Sequence, residues 1–191
     1  MDQARQSVEL SKSFRLLNHG PVTMVTCAHQ GQRNVMSASW VMPLDFNPAK
    51  VLLVVDGRSL SHELIEASGE FALNIPCLAM ADKILAAGSS SGRSGDKIDE
   101  IGLEVFPASQ IQAPLIQGCV AWLECRVISE PANQTRYDLF IAEVVAAWAD
   151  PDVFSEGRWH FPDRASRTLH YQSGGSFFLT GDVVDLSNTG D

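Results

Sequence analysis

The run "KVLLVVD", Lys50 to Asp56, constrains the fold more than any other stretch, because Val51 to Val55 offers no polar face to water. Side chains alternate across a strand, so a sheet with one wet face would show apolar and polar residues in turn. A strand without that alternation has to be covered on both sides, as in a closed barrel packed against other elements or a partner. Four further segments have strand character: "PVTMVTCA" (21–28), "EFALNI" (70–75), "CVAWLECRVISE" (119–130) and "DLFIAEVVAAWAD" (138–150). Helices are expected at "SLSHELIEASG", capped by Ser59 or Ser61 and stopped by Gly69, and at "LAMADKILAAG", ending at Gly88, with a short third over "GDKIDEIG". Regular strand–helix alternation is missing, so the pattern argues for a mainly β fold, a small barrel with helical insertions, over a doubly wound sheet.

Length and charge narrow the field. The 191 residues suit one domain, taken as 1–191 with a core over about 14–181. No run reaches 18 apolar residues, so no membrane span is expected. The start, "MDQARQSVELSKS", lacks the pattern of a secretory signal, and a cytoplasmic location is expected. A net charge of −9 with no basic cluster repels phosphate backbones, which argues against nucleic acid. Cys27, Cys77, Cys119 and Cys125 form no C-x-x-C pair and no zinc-like spacing with the histidines; they are expected to be buried or free thiols, and no metal is expected.

Three stretches could carry chemistry. "DGRSLSHEL" (Asp56 to Leu64) opens a helix, whose unpaired N–H groups, Ser59 and Ser61 hydroxyls and Arg58 guanidinium together outline a phosphate site; a capped helix start with a solvated arginine explains it equally. His62 alone reads more readily as a surface or partner-satisfied histidine than as a catalyst. "SSSGRSGDK", with Arg93, Ser94 and Lys97, could fold over a phosphate or be a plain connector. "NVMSASWVMP" places small polar residues where a core strand would place Val or Ile. Amides and hydroxyls of Ser37 and Ser39 could meet the polar edge of a planar heterocycle against Trp40, or the stretch could be a bulged strand. No G-x-S-x-G, H-E-x-x-H or paired-carboxylate motif points to hydrolysis.

Taken in order, "LLNHGPVTMVT", "NVMSASWVMPLDFNP", "HELIEASGEFALNIP", "SGRSGDK", "GLEVFPA", "APLIQGCVAWLECRV", "LFIAEVVAAWAD" and "LHYQSGGSFFLTG" resemble the flavin reductase-like family, in its flavoredoxin-like branch. That resemblance implies an FMN-binding split β-barrel and a homodimer holding FMN, rather than FAD, noncovalently near the interface. It implies that Met36, Ser37, Ala38, Ser39 and Trp40 lie along the isoalloxazine, that Asp56, Arg58, Ser59, Ser61 and His62 take the ribityl phosphate, and that Ser94 and Lys97 help to cover it. Asn74 is a further candidate. The implied activity moves reducing equivalents from NAD(P)H through FMN to a flavin or redox-protein acceptor. His170 and Tyr171 match a C-terminal motif near the flavin. In "TRYDLFIAEV", however, Tyr137 stands where many of these reductases place a histidine beside the nicotinamide. Tyrosine does not take a histidine's charge near neutral pH, so an electron carrier without NAD(P)H turnover is the alternative, and a non-redox binder of planar ligands a third.

Overall fold

The computed structural model describes residues 21–186. The N-terminal segment read for a signal, the "LLNHG" portion of the expected core and the tail beyond 186 lie outside the described residues. Seven strands form one sheet: β1 (Thr23–His29), β2 (Gln32–Ala38), β3 (Val41–Phe46), β4 (Ala49–Val54), β5 (Glu70–Ile75), β8 (Ala121–Ile128) and β9 (Leu139–Ala149). Short hairpins pair β6 (Val105–Phe106) with β7 (Leu115–Ile116), β10 (Phe154–Ser155) with β11 (Arg158–Trp159), and β12 (Leu169–Ser173) with β13 (Ser176–Leu179). The large sheet runs β2-β1-β5-β8-β9-β4-β3, antiparallel throughout.

The closure of this sheet follows from chain connectivity. Strands β2 and β3 occupy opposite ends of the order, yet only Ser39 and Trp40 separate them in sequence. Laid flat, seven strands would set those edges about 29 Å apart at ~4.8 Å per strand. The three Cα steps from Ala38 to Val41 reach at most about 11 Å. The sheet therefore curls until its edges approach without pairing, which makes a split barrel.

Helices α1 (Leu60–Ser68), α2 (Ala81–Ser89), α3 (Lys97–Glu100) and α4 (Pro131–Tyr137) decorate it. The Ser59 hydroxyl caps α1 by accepting from the His62 N–H at 3.1 Å, and Gly69 ends it with φ 71° while donating to the Ile65 carbonyl. Leu60, Leu64 and Ile65 of α1 plug the barrel interior against Val25, Leu53 and Phe71. A second core lies outside the barrel wall, where Met24 and Val35 meet Ile84, Ala87 and Ile98. Strand β1 is thus buried on both faces, a role that the sequence reading gave to Val51–Val55.

For Val51–Val55 itself the result is asymmetric. Val51, Leu53 and Val55 are buried inside, whereas Leu52 and Val54 are half-buried on the outer face. The register sets Met42 opposite Leu52 and Ile141 beyond it, so the outer face of β3, β4 and β9 is apolar and only partly covered. Trp40 and Met42 there are 51% and 55% exposed.

Helix α4 was not anticipated. It starts with Pro131 in its first turn, but its residues form no apolar stripe and only Gln134 is buried. The four cysteines are free and buried, as expected, and burial pushes the Cys27 and Cys125 thiols up to about 12. No helix among the described residues is long and apolar enough to cross a membrane, and no cluster of metal-ligating side chains occurs among them.

Candidate functional site

A two-lobed cavity lies where β2 leaves the barrel wall and α2 packs beside it. One lobe, about 340 Å³, is mostly apolar and is lined by Val22, Ile84, Leu85, Tyr171, Phe177 and the stretch Ser37–Ser39. The other, about 270 Å³, is lined mostly by polar and charged residues from the start of α1 and the loop between α2 and α3. Ser37 and Gly88 border both, so the lobes adjoin across these two residues, which pack against each other. Their combined size falls within the roughly 300–1,000 Å³ of small-molecule sites.

The apolar lobe owes its shape to parity along two strands. Ser37 projects outward from β2, donating its hydroxyl to the Ile84 carbonyl at 2.6 Å and so fixing α2 against the strand. Tyr171 faces the lobe from β12, its ring 5.5 Å from that of Phe177 in β13. His170, the preceding residue on the strand, lines a separate depression with Phe178 and Leu179.

The polar lobe is organised by charge. Arg58, Ser59, Ser61, Ser90, Ser91, Arg93 and Lys97 all border it. Arg58 folds back on Asp56, donating to both carboxylate oxygens at 3.0 and 2.7 Å, which holds the Asp56 carboxyl well below the usual range. Arg93 is likewise engaged by Glu63. Lys97 differs from both. It is 3% exposed, its Nζ donates to the Ala87 carbonyl at 2.6 Å, and no carboxylate pairs with it among the described residues. Burial pushes its pKa below the ordinary lysine value, an effect the nearby Cys27 thiol partly opposes.

Asn34 sits deeper, donating from Nδ2 to the Ser61 hydroxyl at 3.0 Å while its buried Oδ1 has no hydrogen-bond partner. A buried ammonium bonded to one carbonyl, several hydroxyls and an orphaned amide oxygen form a donor-rich pocket with one acceptor. The ammonium and hydroxyls fit the anion of a phosphate ester, while the Asn34 Oδ1 lies beneath Gly92.

Of the residues singled out in the sequence, Met36, Ser37, Ala38, Ser39, Arg58, Ser59, Ser61, Arg93, Lys97 and Tyr171 line the cavity. The others lie elsewhere. Trp40 is on the outer sheet face, Asp56 is turned to Arg58, and Ser94 is exposed on the loop. His62 is buried, its ring 4.9 Å from that of Phe140, with Nε2 unpartnered. Tyr137 ends α4 at 58% exposure beneath the Arg136 guanidinium. Asn74 is a barrel strut, bonded to Met24, Thr26 and Ile116. The sequence reading missed Asn34 and the α2 residues Ile84, Leu85 and Gly88. A buried asparagine directly before the small-residue stretch was the available signal for Asn34; α2 carries none, since ordinary apolar residues enter the site only by packing.

The chain is similar to the crystal structure of an FMN-binding domain of a flavin reductases-like enzyme from Shewanella baltica, at 43% identity and a TM-score of 0.85, covering 95% of this chain and 97% of that one. It is 41% identical over 180 residues to the uncharacterised protein YddH of Escherichia coli, covering 93% of this chain and 95% of that protein. It is 28% identical over 144 residues to the reductase component of a 4-nitrophenol 4-monooxygenase/4-nitrocatechol 2-monooxygenase from Rhodococcus opacus, covering 73% of this chain and 74% of that protein. A family model described as the flavin reductase like domain matches residues 15–178, and the chain therefore belongs to the flavin reductase-like family.

Proposed function

We propose that this protein binds FMN noncovalently in the two-lobed cavity and acts as an NAD(P)H-dependent flavin oxidoreductase, passing reducing equivalents to a flavin or another acceptor. The observation that carries the reading is the adjacency, across Ser37 and Gly88, of a lobe lined by apolar side chains and a lobe holding the buried Lys97 ammonium. The isoalloxazine belongs in the first lobe, against Tyr171 and Phe177, with Ser37–Ser39 along one edge. The ribityl phosphate belongs in the second, with Lys97, Ser59 and Ser61 as donors. Bound FMN would supply the hydride and electron transfer. The chain's own task is then to hold the ring plane, neutralise the phosphate and exclude water; no side-chain nucleophile or base is required. The reductase component from Rhodococcus opacus supports a role in delivering reduced flavin.

The outer apolar face of β3, β4 and β9 supports a homodimer, because a second copy would cover Trp40, Met42, Leu52 and Val54. Tyr137 supports the second reading, an electron-carrying flavoprotein with little NAD(P)H turnover.

The visible spectrum separates these readings. After incubation with FMN and gel filtration, the protein is expected to retain a flavin spectrum that bleaches anaerobically on addition of NADH or NADPH. A spectrum that yields only to dithionite establishes the carrier reading; a colourless protein rejects both.

A further inference from the structure

We propose that residues 90–96 form a strap fastened by Gly92, Arg93 and Glu63, which closes the phosphate end of the cavity and selects flavin mononucleotide over the dinucleotide. This rests on the flavin reading above. Arginines beside a phosphate lobe are ordinarily taken as phosphate ligands, but both arginines here already have partners. Arg93 donates to the two Glu63 oxygens at 3.1 and 2.6 Å and to the Arg58 carbonyl at 2.8 Å. Three bonds thus tie the strap to the turn before α1 and to the helix itself. Arg58 is held by Asp56. Charge for the ligand comes from Lys97, inside the strap.

Two further fastenings hold the strap to β2. Gly92 is buried directly on Asn34: a Cβ at this position would lie 2.2 Å from Asn34 Oδ1, so only glycine permits the approach. Asp96, at the far end, accepts from Arg33 Nε at 2.7 Å, and Asp99 accepts from Arg33 Nη2 at 2.7 Å. The strap is therefore pinned in its middle and at its end, and Arg93, which borders the lobe, is bridged to Glu63 on α1. A monoester phosphate can terminate under the strap at Lys97. A dinucleotide continues through a second phosphate to adenosine, and in this proposal the strap with its Arg93–Glu63 tie stands against that continuation.

Glu63 and Arg93 are thus specificity-determining residues that need not touch a mononucleotide at all. Their side chains are 52% and 47% exposed, so removing the bridge alters the exit without collapsing the fold.

The test measures FMN and FAD dissociation constants by flavin fluorescence in wild type, Glu63→Gln, Arg93→Met and the charge-swapped Glu63→Arg/Arg93→Glu protein. Wild type is expected to favour FMN clearly. Each single variant should bind FAD about 5-fold more tightly, the scale of one exposed bidentate pair, the Glu63→Gln protein, whose altered residue does not border the lobe, should keep nearly the wild-type FMN affinity, and the swap should restore the preference. Equal wild-type affinity for the two flavins, or a preference that the single variants leave intact, overturns the strap while the flavin reading stands. Binding of neither flavin overturns both.

Discussion

Replacing Glu124 by glutamine is expected to destabilise the fold by about 1–3 kcal/mol, the scale of a buried donor left without its partner, while leaving flavin affinity per folded molecule unchanged. Glu124 lies on β8, fully buried, and its carboxylate accepts from the Ser109 N–H and hydroxyl, the Gln110 N–H at 2.6 Å and the Trp148 indole at 2.9 Å. Those donors come from the loop after β6 and from β9, so one side chain closes the wall of the barrel against its neighbours. A glutamine keeps the volume but turns one acceptor oxygen into an NH₂ group that faces N–H donors, leaving buried donors without partners. Burial pushes the Glu124 carboxyl up, and the hydrogen bonds from Ser109, Trp148 and Gln110 outweigh it, so that it titrates below its ordinary value. The depressed pKa fixes the sign: the contribution is fully present above the unfolded-state value near 4.5 and is lost as pH falls through the lower folded value. Urea denaturation at pH 7 should show the lowered midpoint with an unchanged slope, and the acid-side loss of stability should be smaller in the variant. A change under 1 kcal/mol would mean that the loop re-forms its bonds to water.

Glu124 also shows what the sequence makes legible. The strand holding it was evident from "CVAWLECRVISE". That a glutamate stands on a buried face depended on a loop, residues 107–113, whose path no local pattern specifies. The same limit governs the candidate site. Ser37–Ser39, Ser59, Ser61 and Lys97 were legible because small hydroxyls and a helix start have chemistry independent of the fold. His170 and Tyr171 were legible only as a pair, since adjacent strand residues face opposite ways and "LHYQS" does not say which faces inward. Trp40 was read as a wall of the site; the step from β2 to β3 puts it on the outer sheet face. Arg93 was read as covering a phosphate, and only tertiary contact reveals Glu63, thirty positions away, as its partner. Helix α4 shows a different limit: a helix whose outer turns face water needs no apolar stripe, so periodicity is silent there.

Lys97→Met is expected to separate ligand binding from stability in the opposite sense to Glu124→Gln. The ammonium is buried with a single carbonyl partner, an arrangement that costs desolvation and is unrewarded until an anion arrives. Methionine fills similar space without that cost, although the Ala87 carbonyl loses its donor, so the flavin-free protein should melt no lower than wild type. FMN affinity should fall by about 10- to 100-fold, the scale of one charge-assisted hydrogen bond of ~1.5–3 kcal/mol to a phosphate. Titration supplies an independent check. Because burial lowers the folded-state pKa below the ordinary 10.5, the flavin-free protein binds fewer protons than its unfolded chain in that interval. Its stability therefore gains as pH rises from the lowered value toward 10.5, while affinity for FMN declines over the same interval as the ammonium discharges. Both trends should vanish in the variant. Calorimetric melting of the flavin-free proteins and fluorescence titration with FMN across alkaline pH measure the two sides. A Lys97→Met protein that unfolds readily yet binds FMN normally would make Lys97 a strut for α2, and the phosphate would then have to be neutralised by Arg58 after release from Asp56.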